Sequence, residues 1–217
     1  MNFRKISNKK QILSSILIIN TSFFCFFKAF HKKINDHTEK VTHVVWFDIE
    51  INYKSVGRFE IGLYGNHCSK IVNNFLNLVE GVNDKNNTKV SYLHSKAFNI
   101  IPNFLCCFGD VIENNGNGHF SIYSNEYMND VIDSNLLFNS PGVVGVCNKG
   151  EKNTNGSSFF IILNENYNLN QKYTIIGKVN KGLEFIRTIS SAYGDVNLND
   201  EKLEIRISDC GIYNFNQ

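Results

Sequence analysis

Six cysteines and six histidines are the side chains of this chain with the widest chemical range, and their spacing limits what they can do. The cysteines are Cys25, Cys68, Cys106, Cys107, Cys147 and Cys210, and none belongs to a C-x-x-C pair. The histidines (His31, His37, His43, His67, His94, His119) are dispersed, so the pattern argues against a zinc centre, and no cofactor is implied. Loss of Cys25 with a targeting segment would leave an odd number, which disfavours a disulfide framework. Cys106 and Cys107 could in principle form a strained vicinal disulfide, but neighbouring residues of a strand point to opposite faces. The stretch AFNIIPNFLCCFGD, residues 97–110, poses the sharper question. It holds one of two prolines and three phenylalanines, and carries no charge before Asp110. It either performs chemistry or lines an apolar pocket.

The elements that must position these residues lie in a chain of 217 residues, enough for one domain and a short extension. A formal charge of +2, with no dense basic block after the first ten residues, is too mild for a nucleic-acid binder. About one residue in seven is asparagine, a bias that leaves a lone Asn uninformative and makes the sequons at Asn86 and Asn155 chance-level. The first 40 residues read differently from the rest. Arg4, Lys5, Lys9 and Lys10 precede the apolar run 12–27, and Lys28, Lys32 and Lys33 follow it. This resembles a secretory signal or signal-anchor, or the start of an organellar address; a buried helix is the plainer alternative. The run is short for a membrane span, so cleavage and a shallow anchor both stay open, and membrane contact is expected through residues 12–27 only. The expected division is a targeting segment and linker over 1–40 and a folded domain over 41–217.

From residue 42 the pattern turns to strands. THVVWFDIEI and SVGRFEIGLY flank an Asn-Tyr-Lys turn and predict a hairpin. Ile71, Val72, Phe75, Leu76 and Val79 recur at helical spacing, with Ser69 as candidate cap and Gly81 as the stop. Residues 83–89 read as a polar loop. Short strands are predicted over 142–146, 159–163, 173–179 and 203–208. A second helix, capped by Asn180, presents Leu183, Phe185, Ile186 and Ile189. Many short strands and two isolated helices suggest a closed or nearly closed β-barrel with helices over its ends.

Several strings resemble the cyclophilin family of peptidyl-prolyl isomerases: FDIEI with GRFEIGLY, NNFLNL, IIPNF with the GD at Asp110, and GVVGVCN. NTNGSSFFI, YTIIGKV and SDCGIY complete the series, which runs from Val45 to Tyr213. The resemblance implies a mainly β fold, a closed eight-stranded antiparallel barrel capped by two α-helices. It also implies isomerisation of X-Pro bonds in client proteins. Amide resonance opposes that rotation with a barrier of roughly 18–20 kcal/mol, and a catalyst must favour the twisted amide over both planar forms. The family is understood to use an apolar pocket for the proline ring and a guanidinium aimed at the prolyl nitrogen, with no metal or cofactor.

Residue by residue, the resemblance carries over the pocket better than the catalytic groups. Phe104 and Phe160 match the pocket phenylalanines, Leu105 stands for a methionine, and Leu169 matches the pocket leucine. Cys147 precedes Asn148, whose backbone is expected to bind the residue before the proline. Ala97, Phe98 and Asn99 replace Phe-His-Arg, so Asn99 holds the arginine's position. Cys107 and Ser158 replace glutamines, Phe108 a glycine, Asn168 the lid tryptophan (with Tyr167 beside it) and Tyr173 a histidine. The loop around Glu151 and Lys152 is one residue longer. Lys149 or Lys96 could substitute an ammonium, or both are solvated surface lysines. Three readings follow: an isomerase, weakened because Asn99 supplies no charge; a non-catalytic proline-peptide module; or a scaffold subunit. Cyclosporin-type ligands are expected to bind weakly or not at all without the lid tryptophan.

Overall fold

The computed structural model describes residues 39–124, 126–194 and 203–213. The expected targeting segment and membrane contact over 12–27 lie outside them. Among the described residues no helix is long and apolar enough to cross a membrane.

The predicted hairpin forms as β1 (His43–Ile51) and β2 (Lys54–Leu63). Its turn places Asn52 and Tyr53 at φ 48° and 65°, the left-handed pair that suits a tight hairpin. Helix α1 (Ser69–Glu80) follows, then a two-residue pair, β3 (Val82–Asn83) and β4 (Lys89–Val90), flanking the polar loop. Next come β5 (Asn99–Ile101), β6 (Leu105–Phe108), β7 (Val143–Val146) and β8 (Phe159–Ile162). A 3₁₀ turn (Tyr167–Leu169), β9 (Ile175–Lys181), α2 (Leu183–Tyr193) and β10 (Ile205–Ile212) complete the order.

Eight strands form one antiparallel sheet in the order β10-β1-β2-β9-β7-β8-β6-β5. The expected closed barrel is corrected here. No ladder joins β5 to β10, and the sheet curls into an open half-barrel. Where the edges approach, residues just before β5 meet β10 through an isolated bridge, Lys96 with Arg206. Three bonds sew this seam: His94 N–H to Ile207 O (2.8 Å), Ile207 N–H to Ser95 O (2.9 Å) and Ala97 N–H to Ile205 O (2.8 Å). His94 at φ 70° breaks the extended backbone at the start of this seam, and β10 begins only at Ile205, opposite Ala97.

Strand alternation divides the apolar residues into two clusters. Phe47, Phe59, Phe75, Tyr92, Phe108 and Phe159 stack inside the half-barrel, each 2 % exposed or less. Burying one such ring contributes roughly 1.5–3 kcal/mol. Phe108 therefore faces the core and not the site. The helices cover this core with Ile71, Val72, Phe75, Leu78 and Val79 from α1 and Ile186 and Ile189 from α2. Gly81 ends α1 as expected, at φ 86°. The predicted caps differ: Cys68 precedes α1 and Gly182, in the left-handed region, precedes α2, while Asn180 belongs to β9.

Candidate functional site

The second cluster lies on the outer face of the same strands. Register fixes its centre: Asn99 pairs with Cys107, Cys107 with Phe160, and Phe160 with Gly145. These four residues make one row across β5, β6, β8 and β7, with directly opposed residues sharing a face. Phe159 thus enters the core and Phe160 the outer cluster; Cys106 and Cys107 divide in the same way. Gly145 is needed in this row, because a Cβ there would sit 2.5 Å from the Phe160 ring.

Around this row Phe160 (3 %), Cys107 (6 %), Ser158 (6 %) and Leu105 (9 %) form a buried floor. Phe104, Cys147, Asn148, Leu169 and Tyr173 are half-buried and form the rim. Asn99 and Asn168 are exposed. Phe138 stacks on Phe160 (centroids 5.5 Å apart, 21° between planes) and Tyr173 meets it edge-on at 5.2 Å. The structure therefore brings Leu105, Cys107, Phe160, Phe104, Cys147, Leu169 and Tyr173 into one cluster.

Contacts with the Cys147 thiol and burial hold the Cys107 thiol well above its ordinary range. Burial likewise raises the Tyr173 phenol. Both groups are protonated at neutral pH, so neither supplies a nucleophile or base there.

The rim is held by side chains bonding to backbone. Asn148 donates from Nδ2 to Lys172 O (3.0 Å) and accepts from Gly150 N–H (3.1 Å). The 3₁₀ turn is capped by Asn166, which accepts from Asn168 N–H at 3.1 Å. Asn170 accepts from Phe138 N–H (2.9 Å), and Asn166 N–H donates to Phe138 O (2.8 Å), which ties Phe138 over the floor.

Sequence reasoning missed Phe138, which sits in a long segment without strand or helix periodicity. It also missed what Asp110 does. Fully buried, this carboxylate accepts from the N–H groups of Ile112, Glu113, Asn115, Gly116 and Gly118 at 2.8–3.2 Å, shaping the 110–118 loop beside the site. Burial alone would raise its pKa, but these donors together hold it below the ordinary carboxylate value.

The two lysines lie at the surface, Lys149 exposed and Lys96 partly so. Lys96 pairs with Glu204 at 3.6 Å, on the seam. Lys149 donates to the carbonyls of Gly116 (3.2 Å), Asn117 (2.7 Å) and Gly118 (2.8 Å). Both ammonium groups are thus engaged in surface contacts with protein acceptors.

The cluster lies on the outer face of a curled antiparallel sheet, edged by loops tied through side-chain-to-backbone hydrogen bonds and without an ionised side chain at its floor. Residues 46–212 match the model of the cyclophilin type peptidyl-prolyl cis-trans isomerase/CLD family, and this chain belongs to that family. It is 34 % identical to peptidyl-prolyl cis-trans isomerase B of Saccharomyces cerevisiae over 82 % of this chain and 83 % of the relative. It is 31 % identical to the rhodopsin-specific isozyme of Calliphora vicina, covering 79 % and 70 % respectively. A Cryptosporidium parvum cyclophilin type isomerase crystal structure superposes with a TM-score of 0.66 at 29 % identity, covering 79 % of this chain and 98 % of that one.

Proposed function

We propose that this cyclophilin-type domain binds X-Pro segments of client proteins at the Phe104–Phe160 cluster and isomerises them slowly. Membership of the isomerase family supports the activity. The observation that carries the weakened rate is the row spacing. Asn99 lies two strand positions from Phe160, about 10 Å at ordinary strand separation. A long guanidinium side chain spans that gap; a carboxamide does not, and it brings no charge. A hydrogen bond from a charged donor contributes roughly 1.5–3 kcal/mol, or about one to two decades of rate when felt in the transition state.

In this reading Phe104, Leu105, Phe160, Leu169 and Tyr173 hold the proline ring, and the Asn148 backbone holds the residue before it. Cys107, Cys147 and Ser158 complete the walls. Asn168 in the lid position supports weak cyclosporin-type binding, since it offers no indole N–H. NMR exchange spectroscopy on an X-Pro peptide tests the proposal. Detectable but slow exchange is expected, with a gain of about tenfold or more in Asn99→Arg. Turnover at the rate of an ordinary cyclophilin would overturn the weak-catalyst reading.

One observation favours a second reading, a binding module or scaffold without turnover: Phe160 is only 3 % exposed beneath Phe138 and Tyr173. Peptide binding with no exchange, unaltered in Asn99→Arg, would select it. We further propose that residues 1–40 are a targeting or anchoring extension to the domain over 41–217, leading to the secretory pathway or an organelle. Their basic-apolar-basic order is the support.

A further inference from the structure

We infer that the Cys107 and Cys147 thiols form a two-coordinate site for a soft monovalent cation, Cu(I), and that the bound ion shuts the candidate proline site. The closing effect rests on the proposed peptide-binding function; the metal site itself does not.

Strand register brings the two thiols onto one face. Cys107 pairs with Phe160 on β8, while Cys147, just past the end of β7, donates its N–H to Ser158 O at 2.9 Å. Both side chains join the outer cluster around Phe160, and both thiols are free. They meet each other in a hydrogen-bonding contact. The other described thiols are engaged elsewhere. Cys68 Sγ donates to Tyr64 O and Ile175 O, Cys210 Sγ donates to Val79 O, and Cys106 turns into the core.

The spacing selects what this pair can hold. Strand β8 separates β6 from β7, so the two backbones stand about 10 Å apart at ordinary strand separation. A disulfide needs Cα atoms within about 7 Å. A linear S–metal–S bridge inserts two metal–sulfur bonds between the sulfurs and suits the wider span. Structural zinc asks for four ligands, and among the described residues no group of three or more His, Cys, Asp or Glu could hold a metal ion. Soft thiolates select Cu(I), and two of them in line satisfy it.

Binding displaces one proton from each thiol to solvent and leaves a singly negative bis-thiolate complex, with no electron transferred. Ser158 shares the outer face with Phe160 by alternation and offers a hydroxyl toward that charge. Cys147 is half-buried at the rim, which gives the ion its entry, whereas Cys107 is buried on the floor. An ion held between them occupies the surface on which a proline ring would rest.

The experiment titrates the full chain with Cu(I), without oxygen, against a chromophoric Cu(I) chelator, and counts sulfur ligands by X-ray absorption at the copper edge. One equivalent on two sulfurs is expected. Cys107→Ser and Cys147→Ser should each weaken Cu(I) affinity by about a hundredfold or more, since even outer-shell changes cost about 10–100-fold. Cys210→Ser should leave it unchanged. Cys147 is half-buried, so its replacement does not open the core; unaltered affinity in Cys147→Ser overturns the site, as does a third sulfur ligand. Apo and Cu(I)-loaded protein are then titrated with an X-Pro peptide by NMR. Loading should weaken peptide binding about tenfold or more in wild type, by mass action at a shared surface. Unchanged peptide affinity in the loaded protein overturns the closure. Apo protein that binds no peptide overturns the peptide-site reading and the closure with it, while the copper measurements still decide the metal site.

Discussion

Phe104 and Phe160 share a cluster but carry different loads. Phe160 is 3 % exposed and wedged between Phe138, Tyr173 and the bare backbone of Gly145, whereas Phe104 is half-buried at the rim. Phe160→Ala is expected to cost about 3–5 kcal/mol in chemical denaturation. Phe104→Ala should cost well under half of that, because less of the ring is withdrawn from water. Both should weaken proline-peptide binding in an NMR titration. Equal stability losses, or a Phe104→Ala variant that binds as wild type does, would contradict this division. The candidate positions Asn99, Cys107, Ser158 and Asn168 were legible in the sequence because flanking motifs index each one. The direction of Phe108 and the gap between Asn99 and Phe160 were not, since strand register sets them. The fate of Lys149 was equally hidden: three backbone carbonyls leave no trace in residue type.

At the scale of elements, regular structure was legible and its joints were not. The hairpin, both helix faces and the Gly81 stop follow from periodicity and φ preference. The caps went astray because neither α1 nor α2 uses a side-chain cap, so residue type gave misleading cues at Ser69 and Asn180. The 110–118 loop has no period at all; one carboxylate shapes it. That arrangement has a pH consequence. Asp110 titrates below its unfolded value, so its stabilisation is fully present above the ordinary carboxylate range and is lost as pH falls through the depressed folded value. Asp110→Asn keeps the size but turns an acceptor-only anion into a neutral amide facing five N–H groups. It should destabilise the domain by about 3 kcal/mol at pH 7, with the gap closing in acid. Thermal melts of both proteins between pH 7 and pH 3 check this; a gap that does not shrink would show that the charge is not what holds the loop.

For the whole molecule, the mainly β architecture with two helices was legible, and closure was not. A count of strands cannot tell whether the last edge pairs. Here β10 begins at Ile205, opposite Ala97, before the chain reaches β5 at Asn99. The basic and apolar pattern of the first 40 residues leads to a prediction at this scale too. Fused to a fluorescent reporter, residues 1–40 should carry it into the secretory pathway or an organelle, as imaging would show. A diffuse cytosolic signal would rule the targeting proposal out.

The seam between the two sheet edges joins stretches more than a hundred residues apart, and the strand that carries Asn99 begins two residues beyond it. Contacts of such long span come late, because the intervening chain must be ordered before they form. On the ribosome, the stretch at 94–97 must wait for 205–207 to emerge. A nascent chain stalled after residue 181 but short of 205 carries the residues of the aromatic floor and lacks the seam, so the edge that bears Asn99 is secured only once 205–207 have emerged.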